Sequence, residues 1–213
     1  MSKFKNLYIL GYSGHAYVVL DVALSNQYRL KGYFDFQKHE RNPYHISYLG
    51  NENEHDLTKI VKNDVVFPAT GSNVVRKKLY GLLKEFNLTQ TVLIDKSATV
   101  SPRSSIGNST LVAPKAVINS LSIIGNACII NSGAIVEHEC VVDNFSHIAP
   151  GAVLTGNVSI GKNVLVGANS VIRPGIKVTD DVIIGAGTVI VRDILEKGVY
   201  AGNPAKRLKL YGK

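Results

Sequence analysis

Tryptophan is absent from this 213-residue chain, which also has one methionine, two cysteines and seven prolines. Two cysteines cannot supply the disulfide framework of a small secreted scaffold, and no spacing of Cys and His matches a metal site. Long hydrophobic runs are missing too, since no stretch approaches the roughly 18 apolar residues that a membrane-spanning helix requires. Lys3 to Leu10 set basic residues ahead of a short apolar run, but Gly11 cuts it off and no cleavage-like site follows. We therefore read no signal peptide and expect a cytoplasmic protein without membrane partners. Acidic residues are the scarcer sign, 16 against 24 Lys and Arg, for a net charge of +8. The surplus is scattered, with no nucleic-acid motif and no basic-aromatic interleaving, so it reads as solvated surface and not as a nucleic-acid interface. One cluster stands apart, Lys197, Lys206, Arg207, Lys209 and Lys213 against a lone Glu196, and it suits the phosphates of a small polyanion.

What the chain does have is a period. From Ile94 an aliphatic residue falls at every sixth position without omission, through Val100, Ile106 and Val112 to Ile184 and Ile190. Four residues after each of these comes a second series that is always small or β-branched, from Ala98, Ser104 and Thr110 to Thr188 and Ile194. A helix would repeat at about 3.6 residues and an ordinary strand at about 2, so a period of six with Gly, Asn and Asp between the apolar sites describes short strands joined by corners. Three repeats close a triangular coil of 18 residues, and Ile94 to Leu195 holds a little under six coils. Cys128 and Cys140 both fall in the small inward series, which assigns them to the core and not to a disulfide or a nucleophile. The register leaves no room for a long loop, so function must sit on the prism surface or between prisms.

The first ninety residues alternate instead. Asn6 to Leu10 reads as a buried strand, Gly11-Tyr12-Ser13-Gly14-His15 as a glycine turn, and Ala16 to Leu24 as a helix, an order that can cradle a phosphate on free N–H groups. A second strand spans Gly32 to Phe36 and ends in Asp35, placed to accept hydrogen bonds from a ribose or base or simply to close the strand. Residues 37 to 53 read as polar loop, Glu54 to Val61 as a short helix, and Val65 to Thr70 as a strand leading to Gly71. Ser72 or Asn73 caps a helix to about Phe86, with Val75, Leu79, Leu82, Leu83 and Phe86 on its buried side. Thr91 to Ile94 is the last strand. The expectation is two domains: a Rossmann-like α/β domain over residues 1–93 with ligands at the carboxyl ends of its strands, near Ser13, Gly14, His15, Asp35 and Gly71, and an all-β parallel β-helix over 94–213.

Within the repeat, Glu137-His138-Glu139 sets an imidazole between two carboxylates, and His147 follows nine residues later. A carboxylate beside a histidine fixes its tautomer and raises its basicity, which makes a general base; the same residues also make an ordinary charged corner. Positions 138 and 147 lie half a coil apart, so they project in different directions and can share a site only across an interface between neighbouring prisms. Asn131, seven residues before His138, is expected to point toward the same region.

Residues 131 to 150, with His138-Glu139 and the His147-Ile148-Ala149-Pro150 run, resemble the catalytic stretch of left-handed β-helix acetyltransferases that act on nucleotide-activated amino sugars. The Ser13-Gly14-His15 turn, the Asn73 to Lys78 helix opening and the Gly202-Asn203-Pro204-Ala205-Lys206 tail are similar as well, closest to the bacillosamine-pathway N-acetyltransferases and their perosamine and sialic-acid-modifying relatives. The resemblance implies a left-handed β-helix, a homotrimer, acetyl-CoA along the groove between two prisms, and a nucleotide sugar on the N-terminal domain. It implies that His138 takes the proton from the sugar amine, that Glu139 orients it, and that His147, with Asn131, meets the acetyl end of the cofactor. Gly156, Ala168 and Ala186 match positions lining the pantetheine arm; Ser13, Gly14, His15, Asp35 and Gly71 match sugar-nucleotide contacts. Some members carry a second acidic residue after Asp35, where this chain has Phe36, which leaves the nucleotide open. Transfer would be direct within a ternary complex, because no exposed Cys or Ser stands beside a base.

The expected reaction is acetyl transfer from acetyl-CoA to the 4-amino group of a nucleotide-activated 4-amino-4,6-dideoxy sugar in glycan biosynthesis, with no metal. O-acetylation of a sialic acid or related sugar is the alternative on the same architecture. A third reading is a non-catalytic scaffold or a carbonic-anhydrase-like hexapeptide protein; the latter would need metal-binding histidines on adjacent faces, and the repeat offers only His138 and His147.

Overall fold

The computed structural model describes residues 5–208. Strand β1 (Asn6–Leu10) lies at the centre of a four-stranded parallel sheet, between β2 (Arg29–Phe34) and β4 (Val65–Pro68), with the short β3 (Ser47–Tyr48) outside β2. Its residues from Leu7 to Leu10 are all buried, as a central parallel strand covered on both faces must be. Helix α1 (Gly14–Ser25) covers one face with Ala16, Val19, Leu20 and Ala23; α2 (Leu57–Val61) and α3 (Asn73–Glu85) cover the other. Asp56 caps α2 through Thr58 N–H, and the Ser72 hydroxyl caps α3 by accepting from Val75 N–H.

From Leu93 to Ile190, short strands build three stacks of parallel pairs, each partner lying 18 residues along the chain: Ile123 with Val141, Ile129 with His147, Ile135 with Val153. The sequence register is thus the structural register. The sixth-position aliphatics fill the prism, where Val112, Ile118, Ile130, Val136, Val142 and their successors are buried. The second, small series is more than filler. The Thr110, Ser122, Ser146 and Ser170 hydroxyls each accept an N–H one coil later (Cys128, Cys140, Val164, Thr188) and donate to a carbonyl three residues short of it (Gly125, Glu137, Gly161, Gly185). Cys128 and Cys140 continue this ladder, their thiols donating to the Asp143 and Thr155 carbonyls at 3.2 Å. Burial raises both thiol pKa values, that of Cys128 to about 12, so neither is a nucleophile.

Each corner turns through one left-handed residue, at every sixth position from Ser109 to Gly187. Only some are Gly or Asn; Lys115, Leu121, Glu139 and Phe145 adopt the same positive φ, held there by the strand pairing on either side.

The sheet packs on the prism through one continuous core, in which Leu7, Val19 and Phe67 meet Leu93, Leu111 and Ile129. Several sequence expectations change, among them the helix expected from Glu54, which begins at Leu57. Strand β2 runs from Arg29 and stops at Phe34, so Asp35 lies just past its end; its N–H bonds to the Gly50 carbonyl instead. The stretch 37–53 contains β3, paired with Gly32 and Tyr33. On α3, Val75 is 45% exposed and Arg76 takes the inward place at 1%, because the face with Arg76, Leu79 and Leu83 is the one turned toward the sheet and prism. No helix among the described residues is long and apolar enough to cross a membrane.

Candidate active site

Arg76 joins the two parts of the molecule. Its guanidinium uses all five N–H groups, donating to the carbonyls of Thr70 and Gly71, to Asn73 Oδ1, and to Ala127 and Phe145 of two successive coils at 2.7 and 2.8 Å. No carboxylate is among these partners. Asn73 adds a bond from its amide to the Val164 carbonyl. Sequence reading missed Arg76; the clue was the Arg76, Leu79, Leu83 spacing, a helical stripe with a cation in it.

Beside this joint, the His15 and His147 rings lie 6.4 Å apart, one from the glycine turn and one from the prism. Asn131 belongs here too and not beside His138: its amide nitrogen sits 3.0 Å from His147 Nε2, and its Oδ1 accepts from Ser132 N–H. That second bond fixes the amide, so Asn131 donates and Nε2 accepts. His147 is a neutral imidazole, its pKa lowered to about 3 by burial, then by Arg76 and His15. Burial and then Arg76 likewise lower His15 to about 4. A groove of about 460 Å³ opens here between Gly71-Ser72-Asn73-Val74 and the prism residues His147, Leu165 and Ile183.

At the sheet's carboxyl edge, Ser13 and Gly14 are exposed, and Ser13 opens α1 without a side-chain cap, leaving the first N–H groups of the helix free of a side-chain acceptor. Asp35 Oδ2 accepts from Tyr12 N–H at 2.8 Å and meets His39 Nε2 at 2.9 Å, tying the glycine turn to the end of β2. Phe36 beside it is 68% exposed.

His138 and Glu139 occupy a different corner. His138 Nδ1 lies 3.0 Å from Glu139 Oε2, with 58% and 59% of the side chains exposed. Glu139 is a left-handed corner residue, φ 61°, which turns its side chain back along the imidazole. The pair projects between the strands Ile135–Val136 and Val141–Val142, whereas His147 lies on the strand that faces the N-terminal sheet. Gly156 stacks one coil above His138, with Asn157 N–H bonded to the His138 carbonyl at 2.9 Å. Ala168 and Ala186 stack on another corner, beyond Val166 and Ile184. In the basic tail, Arg207 is turned onto Glu196 and the Lys197 carbonyl, and Lys206 is exposed; Lys209 and Lys213 lie outside the described residues.

Residues 6–83 match the PglD N-terminal domain family and residues 157–192 the hexapeptide repeat of succinyl-transferase. The acetyltransferase domain of PglB from Neisseria gonorrhoeae, in complex with acetyl coenzyme A, is 31% identical, with a TM-score of 0.88 over 97% of this chain and 100% of that one. The chain belongs to the left-handed β-helix acetyltransferases with a PglD-type N-terminal domain. A histidine-to-asparagine variant of perosamine N-acetyltransferase from Caulobacter crescentus, in complex with CoA and GDP-perosamine, is 29% identical, with a TM-score of 0.92 over 97% of this chain and 98% of that one. The prism is thus a left-handed parallel β-helix, as the family resemblance implied, and this acetyltransferase is an acetyl-CoA-dependent sugar N-acetyltransferase.

Proposed function

We propose that the protein moves the acetyl group of acetyl-CoA to the 4-amino group of a nucleotide-activated 4-amino-4,6-dideoxy sugar, in the cytoplasm, for surface glycan or glycoprotein biosynthesis. The observation that carries this is the His138–Glu139 pair: an exposed imidazole whose Nδ1 is held by a carboxylate at 3.0 Å, which leaves Nε2 as the proton acceptor. Nε2 takes the proton from the sugar amine as the nitrogen bonds to the acetyl carbon and the carbon–sulfur bond breaks; the proton then passes to the departing thiolate. Glu139 stabilises the imidazolium while it carries that proton.

Residues 1–93 serve as the sugar-nucleotide domain and 94–213 as the acetyl-transfer domain. The free N–H groups after Ser13, with Gly14 and His15, suit the diphosphate, and Gly71 borders the groove that continues to His147 on the prism. Asp35 spends its carboxylate on Tyr12 and His39, so its role is to shape the turn, and Phe36 offers the ring face that a base can stack on. His147, held by Asn131, forms the wall where the groove meets the prism, and Gly156, Ala168 and Ala186 give the narrow corners along which the pantetheine arm lies.

The working form is a homotrimer. Val117, Ile135, Val153, Val171 and Val189 form an outward apolar row on one face, and Ile123 and Val141 are exposed on the next. His138 and the groove at His147 project from different parts of one prism, and only a neighbouring subunit brings them together. The test is thiol release from acetyl-CoA with UDP-, dTDP- and GDP-linked 4-amino-4,6-dideoxy sugars, alongside sedimentation. Turnover with one of these amines by a trimer is expected; a fully active monomer, or acetylation of hydroxyl acceptors alone, refutes the reading.

A further inference from the structure

Most glycines at the prism corners have visible reasons. Gly133, Gly151, Gly175 and Gly187 sit in the left-handed region, and Gly107, Gly125 and Gly167 lie so close to the next coil that a side chain would strike its backbone. Gly156 has neither reason. Its φ lies outside the left-handed range, and the nearest atoms to a Cβ placed on it all belong to one exposed side chain: Cε1 and Nε2 of His138 at 2.6 Å and Nδ1 at 3.3 Å. Carbon atoms in ordinary contact stand about 3.5–4.0 Å apart, so a methyl here would push the imidazole off the coil by roughly 1 Å.

We infer that Gly156 is a positioning residue for His138. Its bare backbone is the floor on which the imidazole rests, while Glu139 holds Nδ1 from the side, and the two constraints together leave Nε2 in one place. A histidine this exposed would otherwise sample several rotamers, and a displaced base loses alignment with the attacking amine even though it stays chemically competent. This role is distinct from lining the pantetheine arm, which would appear as a loss of cofactor affinity. It rests on the reading of His138 as the base.

The experiment is a double-mutant cycle of Gly156→Ala and His138→Ala, with kcat, both KM values and thermal stability measured for all four proteins. Gly156→Ala alone is expected to lower kcat by roughly 10- to 100-fold, the scale of a misplacement of about 1 Å, with Tm and the KM for the sugar nucleotide nearly unchanged. In the His138→Ala background the same substitution should change nothing further, because no ring is left to displace. An equal loss of kcat in both backgrounds, a loss confined to the KM for acetyl-CoA, or normal turnover of Gly156→Ala overturns the inference. If His138→Ala itself turns over normally, it is the assignment of the base that fails, and the cycle separates that outcome from the others.

Discussion

Acidification should loosen the joint between the N-terminal sheet and the prism, and the size of the effect follows from two buried rings. His15 and His147 have their pKa values lowered to about 4 and about 3 from an ordinary 6.5, mainly by burial and then by the Arg76 guanidinium. A depressed value means that the unfolded chain binds protons that the folded one refuses. The stability these neutral rings contribute is therefore complete above pH 6.5 and is lost as pH falls toward 4 and 3. Each site costs about 1.4 kcal/mol per pH unit below 6.5, so at about pH 5 one site costs about 2 kcal/mol and the pair at most about 4. For a chain of this size that is a fall in Tm on the order of 5 to 15 °C. Differential scanning calorimetry at about pH 7.5 and 5, on the native protein and on His15→Gln with His147→Gln, isolates the two sites, because glutamine does not titrate. The double variant should lose most of the acid sensitivity even if it is less stable at neutral pH. If it keeps the full pH-dependent fall in Tm, these rings are not the sensitive groups.

His138→Ala should leave the assembly and cofactor binding intact and lower kcat by roughly 100-fold or more; Glu139→Ala, which removes orientation but keeps the base, should cost less. Arg76→Met should cost on the order of several kcal/mol, since it leaves buried carbonyls at Gly71, Ala127 and Phe145 without this donor, and limited proteolysis should then cut between α3 and the first coil while the prism resists. Cys128→Ser with Cys140→Ser should keep activity within about twofold and remain folded, because serine fills the same rung in neighbouring coils; inactivation without unfolding would point to thiol chemistry.

The prism was legible in the sequence because burial at one position per hexad is enforced on every coil, so the period survives any choice among Ile, Val and Leu. Its corners were not. Leu121 and Phe145 carry no preference for a left-handed backbone, and only pairing with the coils on either side puts them there. On α3 the apolar Val75 drew the buried face too far round, and the face that packs includes a cation because bare carbonyls of the prism await it. The fit between Asn131 and His147 was within reach: Ile129 pairs with His147, and Asn131, two residues on, points to the same side of the strand. The same step of 18 residues leads from His138 to Gly156.

Arg76 grips the carbonyls of Ala127 and Phe145, which belong to consecutive coils, and so pins the N-terminal sheet to a fixed height on the prism. Height then becomes a quantity that sequence length can change only in steps. Six residues more or fewer would carry every later side chain to the next face of the triangle, whereas 18 restore the face and move it by about 4.8 Å along the axis. Coils added beyond Ile172 would lengthen the corners carrying Ala168 and Ala186 without shifting Arg76, His138 or Gly156, while a coil added between Leu111 and Ala127 would part the sheet's packing on Leu93 and Leu111 from the grip of Arg76 on Ala127. Such a scaffold can diverge in how far its cofactor reaches while keeping one fixed distance between the two reacting groups.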